Sequence, residues 1–378
     1  MLPWLPAGGA EAVVYEVVKA LREERGIECT IVTSVPNEHE WHDRFHALTH
    51  RIYHLPNFLP QYAWESFVIN MLQTRGIRKL LLSASEFGYT VLPSIKRSVP
   101  DLQVYNLLHN DSDLGYFRHS VQYNNHIETH IGVSRSIANK LEKVGGIEQH
   151  KIRVIYNGVD LDDRFDPDSI ERKAMCDKFG IPRGAHVVAY IGRLSTEKQP
   201  LEFVRLAAAL KDTRDARFVL VGDGVLRDDV AQAIRAAGLE HQLYWWRDVA
   251  PEEVPHVLAV TDVLVIPSSS EGFPMVMLEA LAMQVPVVSY DVGEVRAAVT
   301  NGVNGWVVPA GDFQALSRHV AELLSQPSLR GHLRARARES VRERGFTRAE
   351  MIRGYLEIID GQRTLRQAAV GHASDLRG

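Results

Sequence analysis

The sequence predicts an α/β protein built as two doubly wound domains facing a cleft, and three observations carry that expectation. Strand-like apolar runs alternate with helical patterns through both halves of the chain. Such alternation with unbroken apolar strands indicates parallel sheets covered by helices on both faces. A chain of 378 residues is also long for one hydrophobic core. Finally, residues 160–172 are charged and broken by Pro167, which suits a domain boundary. The expected domains are 1–165 and 166–345, with 346–378 as a separate C-terminal piece.

Taken in order, residues 1–6 carry Leu2, Trp4 and Leu5, but Pro3 and Pro6 make them a poor central strand. The small loop Ala7-Gly8-Gly9-Ala10 opens a helix with Val13, Val14, Val17, Val18 and Leu21 on one face. A glycine loop opening a helix normally follows a strand. The expectation is therefore that the first strand of this domain is missing or truncated, or that Met1 is not the natural start. Strands are predicted at 28–33, 79–82, 103–108, 130–133 and 154–156, the last followed by the turn Asn157-Gly158-Val159-Asp160. Residues 41–73, rich in aromatics, histidines and arginines, read as irregular half-buried surface, or alternatively as an acceptor- or membrane-facing patch. The second series of strands is predicted at 186–191, 217–221, 243–246, 262–266, 286–290 and 305–308, with helices such as 200–210 and 312–324 between them. Beyond Arg330 the arginine-rich helix with Arg334, Arg336 and Arg338 reads as a solvated face, with attraction to anionic lipid as the alternative. From about Gly361 no apolar period remains, and the tail is expected to be loosely held.

Composition narrows the function classes. A chain with 45% hydrophobic and 24% charged residues is an ordinary soluble globular protein. Its net charge of -4 argues against nucleic acid as a partner. Cys29 and Cys176, the 2 cysteines, exclude a disulfide framework or a cysteine-rich zinc site. No run approaches the ~18 apolar residues of a membrane span, and no signal peptide is visible. The expected setting is cytoplasmic, including the inner face of the membrane.

The chemistry concentrates where predicted strands end. The run Ser268-Ser-Ser-Glu271-Gly-Phe-Pro-Met-Val-Met-Leu-Glu279 follows an apolar strand and opens a helix, with Pro274 suited to its first turn. Free N–H groups and the helix dipole gather at such places and attract anions. A carboxylate there repels phosphate and suits hydroxyls, so a sugar and a ribose flanking a diphosphate fit the two glutamates. Gly192-Arg193-Leu194-Ser-Thr-Glu-Lys198 supplies two cations at another strand end, where arginine offers a planar fork and lysine a point charge. A solvated loop explains these cations in isolation. Val221-Gly222-Asp223-Gly224 is a further glycine turn, and all three stretches should meet on one rim of the sheet. His109, after the strand ending at Leu108, reads either as a capping residue or as a group facing the same cleft. No zinc-ligand spacing and no Gly-x-x-x-x-Gly-Lys-Ser/Thr loop is present.

Together these residues resemble a known family. Glu271 to Glu279 resembles the Glu-x7-Glu motif of retaining family 4 glycosyltransferases (glycosyl transferases group 1) of the GT-B fold. Gly192-Arg193-Leu194 with Lys198 is similar to the diphosphate loop of that family, and Gly8-Gly9-Ala10-Glu11 to its first-domain glycine loop. Asn157-Gly158-Val159-Asp160 resembles the linker, and Asn304-Gly305 with Pro309 the late turn. The resemblance implies two Rossmann-like domains, the first on the acceptor side and the second binding a nucleotide sugar, with a helix over 346–359 crossing back to the first. It implies that Glu279 binds the ribose hydroxyls and Glu271 the donor sugar. Backbone N–H groups of Phe273, Met275 and Val276 would hold sugar and phosphate. Gly8 and Gly9 would approach the nucleotide sugar, Arg247 would border the base, Arg193 and Lys198 would neutralise the leaving diphosphate, and His109 would assist from the acceptor side.

The implied reaction is transfer of a sugar from a UDP-, GDP- or ADP-sugar to a glycan or lipid-linked acceptor with retention, in cell-surface polysaccharide or glycolipid synthesis. It uses no metal and no cofactor, and peripheral membrane contact is an additional expectation. The alternatives are a non-catalytic nucleotide-sugar-binding scaffold, an epimerase and a phosphorylase. Three departures bear on base choice and on the pocket rim. Gln284 and Arg247 stand where the family often has glycine, and Glu294, Arg296 and Ala297 replace its usual Gly-x-Pro-Glu-like turn.

Overall fold

The computed structural model describes residues 1–6, 8–110 and 116–360. Ala7, read above as part of a small loop, and the tail from Gly361, read as loosely held, lie outside the described residues. Two sheet systems divide the chain. The second half forms a six-stranded sheet in which every neighbouring pair is parallel. Its order is Gly305–Val308, Val287–Tyr290, Val263–Ile266, His186–Ile191, Ala216–Val221, Leu243–Trp246. The central strand Val263–Ile266 is apolar at every position and its neighbour His186–Ile191 at all but the first, because helices cover both faces; Val187, Val188, Ala189, Val263 and Leu264 are fully buried.

The first half holds a four-stranded parallel sheet of Lys79–Ser83, Gln103–Leu108, Thr129–Gly132 and Ile152–Val154, and a parallel pair of Ile31–Thr33 with Ile52–His54. Met1 to Pro3 lie between these two groups. The Met1 ammonium donates to the Leu81 carbonyl at 2.6 Å, and the Ser83 N–H donates to the Met1 carbonyl at 3.0 Å. On the other side the Leu2 N–H donates to the Val32 carbonyl at 3.0 Å. This short run, with Leu2 only 3% exposed, occupies the central strand position that the sequence left almost empty and ties the two groups into one row.

Three expectations are corrected. Residues 41–73 are not irregular: they contain the helices His42–Leu48 and Trp64–Thr74 and the edge strand Ile52–His54. These elements are short, and interspersed histidines and arginines hide their period, yet Trp41, Phe45, Trp64 and Val68 are buried. Phe45 meets Tyr15 of the first helix edge-on at 5.5 Å. Second, the arginine-rich helix Pro327–Glu343 is only in part a solvated face. Arg338 donates to the carbonyls of Phe165 and Ala282 at 2.6 and 2.8 Å, and Arg330 and Arg334 turn toward the buried Asp262. Those cations are engaged in the interior and are not presented to a lipid surface. Third, Pro274 is the residue before the helix (φ -68, ψ 126), so the helix Met275–Ala282 begins one position later than read.

The helix Arg348–Asp360 packs against the first helix, Gly9–Arg25, and Arg348 forms an ion pair with Glu16. The last helix among the described residues thus lies on the first domain.

Candidate active site

The loop after Val263–Ile266 and the loop after His186–Ile191 meet because their strands are neighbours in the sheet. The Ser269 N–H donates to the Glu197 carbonyl at 2.8 Å, fixing one loop on the other. Lys198 Nζ then reaches Glu271 Oε2 at 2.6 Å, while Ser268 donates its hydroxyl to Glu271 Oε1 at 2.7 Å. Glu271 is 8% exposed, so its carboxylate is held by a cation and a hydroxyl inside the protein. Ser268 was not singled out from the sequence; its place three residues before Glu271 at a strand end is the signal that could have found it.

The glycine turn after Ala216–Val221 supports the cationic loop. A Cβ on Gly222 (φ +127) would lie 2.1 Å from the Gly192 carbonyl, so only glycine permits this approach. The hydroxyl of buried Tyr190 donates to the Arg193 carbonyl at 2.9 Å. Arg193 itself is exposed at the rim.

The first domain reaches the same place from the other side. A Cβ on Gly272 would lie 2.0 Å from the His109 carbonyl, so the Glu271 loop rests directly on the end of Gln103–Leu108. His109 Nε2 lies 3.1 Å from the Ser83 hydroxyl, and burial lowers its pKa to about 4. The imidazole is therefore neutral at pH 7. Gly9 packs against Met275, whose Cγ would be 3.4 Å from an added Cβ; the N-termini of both helices face each other here. Glu11, in the first turn beside Gly8, is one of two carboxylates, with Glu197, within reach of the Arg193 charge. Burial raises its pKa, opposed by its own backbone hydrogen bond and by Arg193. Glu294 closes the rim by accepting from the Ser136 N–H and the Tyr156 hydroxyl, both at 2.5 Å.

Glu279 lies one turn into Met275–Ala282 and is half-buried. Burial raises its carboxyl above the ordinary range, and Arg164 opposes that shift. It lines a cavity between the domains, of about 60 Å³, with Trp41, Arg44, Arg164 and Met275. Among the described residues no three histidine, cysteine, aspartate or glutamate side chains cluster as metal ligands would.

Family models match both halves: "Glycosyltransferase Family 4" over residues 7–163 and "Glycosyl transferases group 1" over 171–340. The chain belongs to the family 4-like GT-B glycosyltransferases. An alpha-D-kanosaminyltransferase of Streptomyces kanamyceticus is 32% identical over 171 residues, 44% of either chain. The matched stretch thus spans less than half of that curated relative. The fold is shared with a Rickettsia africae glycosyltransferase (TM-score 0.80, 19% identity, 95% of this chain and 97% of that one). It is shared also with Anabaena HepE, solved in complex with UDP-glucose (TM-score 0.79, 18% identity, 96% and 98%).

The remaining predicted residues of this family member fall into two groups. Gly8, Gly9, Met275 and Val276 stand at the facing helix N-termini. Phe273 turns its ring away into the core, 5.0 Å from Tyr156 and 4.9 Å from Phe346, while its carbonyl accepts from Asn157 Nδ2 at 2.9 Å. Arg247 is exposed and lies 5.8 Å from the Trp245 ring centroid. No helix among the described residues is long and apolar enough to cross a membrane.

Proposed function

We propose that this chain transfers a sugar from a nucleoside-diphosphate sugar to a hydroxyl of a glycan or lipid-linked acceptor, with retention at the anomeric carbon. The observation that carries the reading is the Lys198–Glu271 pair at the strand ends of the second domain, closed from above by His109. A lysine beside a buried carboxylate offers one group for a leaving phosphate and one for sugar hydroxyls. Anabaena HepE, of the same fold, was solved with UDP-glucose, which supports a sugar nucleotide as donor.

In this reading the acceptor oxygen forms a bond to the anomeric carbon as the bond to the diphosphate oxygen breaks. The acceptor proton passes to the leaving phosphate on the same face. Lys198, Arg193 and the N-terminus of Met275–Ala282 stabilise the charge that develops on the diphosphate, so the reading uses no metal. Glu271 positions the sugar and is not a nucleophile. Glu279 accepts from the ribose hydroxyls. Neutral His109 supplies a hydrogen bond beside the sugar without adding charge. The setting we propose is polysaccharide or glycolipid synthesis at the inner face of the membrane.

The test is a donor screen with UDP-, GDP- and ADP-sugars, following donor consumption and product sugar. Turnover with one base class, lost in Lys198→Ala, supports the reading. Nucleotide binding without turnover on any acceptor would favour a scaffold.

A further inference from the structure

Glu294 stands where the second domain touches the first beside the Glu271 loop, and the proposed reaction gives it no role. Its carboxylate accepts from the Ser136 N–H and from the Tyr156 hydroxyl, both at 2.5 Å. Ser136 lies in the first turn of Arg135–Lys143, and the leading N–H groups of a helix lack partners within it. Ser134 caps one of them by accepting from the Ile137 N–H at 3.2 Å, but that turn carries no acidic residue. Glu294 supplies the negative charge from the other domain, at the positive end of the helix dipole. Burial and the Glu294 carboxylate push the Tyr156 phenol up to about 12, so it stays protonated and donates. The main chain at Glu294 is tied to the sugar-side loop. The Glu294 N–H donates to the Gly272 carbonyl at 3.0 Å. A Cβ on Gly293, whose φ is +53, would lie 2.2 Å from the Glu271 carbonyl oxygen, so only glycine lets the two loops touch.

We infer that Glu294 is a positioning residue, gripping the first domain with its side chain and the Glu271 loop with its main chain, so that Glu271 is set at the donor sugar. Lys198 and Ser268 hold the two Glu271 oxygens, but both belong to the second domain and leave the loop's place against the first domain open. Glu294 fixes that place, together with Asn157, whose Nδ2 donates to the Phe273 carbonyl at 2.9 Å. A hydrogen bond to an ionised group is worth more than one between neutral groups, so the two bonds to Glu294 form a strong tie. Glu294 touches neither sugar nor nucleotide in this arrangement and acts through the Glu271 loop. The inference rests on the proposed function, which gives Glu271 the donor sugar and Glu279 the nucleotide. It follows that loss of Glu294 strikes the sugar end of the donor and spares the nucleotide end.

The experiment compares the full chain with Glu294→Ala, Glu294→Gln and Tyr156→Phe by amide hydrogen exchange, by calorimetric titration with UDP, GDP and ADP, and by consumption of UDP-, GDP- and ADP-sugars. In Glu294→Ala, residues 134–138 and 268–274 should both exchange roughly 10-fold faster, as loss of a hydrogen bond to a carboxylate predicts. Its kcat/KM for the donor should fall by ~100-fold, the cost of a displacement of about 1 Å near the reacting atoms. Affinity for the bare nucleotide should stay at the parent level, which general damage to the fold would not allow. Glu294→Gln keeps an acceptor for the Ser136 N–H and should recover part of the turnover. Tyr156→Phe should show a smaller loss that disappears in the Glu294→Ala background, because both act through one contact. Faster exchange confined to 134–138 with unchanged kcat/KM would make Glu294 a helix cap only and overturn the inference while the donor reading stands. Equal loss of nucleotide affinity and turnover would overturn it too. A parent that consumes no donor of the three classes overturns the donor reading and this inference with it.

Discussion

Lys198 Nζ lies 2.6 Å from Glu271 Oε2, joining the loops after two neighbouring strands of the six-stranded sheet. The pair holds both charged groups in place before any donor arrives, which reduces the reorganisation needed when charge develops. It also makes each residue a structural partner of the other.

That double role can be separated. Lys198→Ala should lower kcat by about 100- to 1,000-fold, equivalent to ~2.7–4 kcal/mol for loss of one stabilising group. It should also lower stability by about 1–3 kcal/mol, because Glu271 is left buried without its cation. Adding Glu271→Gln should recover most of the stability and none of the turnover. Recovery of turnover in the double variant would contradict the assignment.

Glu279→Ala should act on binding instead. Nucleotide dissociation constants are expected to rise by ~10- to 100-fold, about 1.4–2.8 kcal/mol, with a far smaller effect on kcat at saturating donor. Isothermal titration and steady-state kinetics together distinguish this from the Lys198 pattern.

Gly272→Ala tests the contact between the domains. The added Cβ would lie 2.0 Å from the His109 carbonyl, so the Glu271 loop must withdraw from the first domain. Displacement of about 1 Å is enough to lower kcat/KM by ~100-fold. Circular dichroism should show the fold intact; unchanged kcat/KM would mean that the contact has no part in turnover.

Acidification should destabilise the protein before its carboxylates titrate. Burial lowers the pKa of His109 and of His130 to about 4 from an ordinary 6.5. Below pH 6.5 the unfolded chain takes up protons that the folded chain refuses, so stability falls as the pH drops from 6.5 toward 4 and is unaffected above 7. Each histidine contributes up to about 3 kcal/mol of that loss. His130→Gln should flatten the dependence of Tm on pH in this window; a slope as steep as the parent's would refute the assignment to His130.

Gln284→Gly should stabilise. Gln284 has φ 58, in the left-handed region that suits glycine. Relief of the ~1–2 kcal/mol Cβ penalty outweighs the ~0.5–1 kcal/mol that glycine loses in chain entropy. A rise of about 2–4 °C in Tm is expected per kcal/mol gained.

Much of the second domain was legible because its strands are mostly apolar runs ended by a turn. The periods of 2 and 3.6 residues do not compete there. His186–Ile191, Leu243–Trp246 and Gly305–Val308 match the predicted limits residue for residue. The first domain was less legible where function and edge position dilute the pattern. Ile52–His54 is an edge strand of three half-buried residues and has no alternation to detect. Arg164, which lines one cavity with Glu279, carried no local signal either, since an arginine in a charged loop is an ordinary surface residue until a fold gives it partners.

The sequence alone determined the alternation of strands and helices, the Glu271 to Glu279 spacing on a strand-to-helix turn, and the cations at Arg193 and Lys198. All of these are local: they depend on side-chain period, turn chemistry and residue type over fewer than ten positions. Tertiary structure decided which loops meet. Lys198 pairs with Glu271 across 73 positions of sequence, Gly272 rests on His109, and Arg164 lines one cavity with Glu279. Those contacts follow from strand order and domain packing, which no local pattern encodes, and they turn separate charged residues into one candidate site.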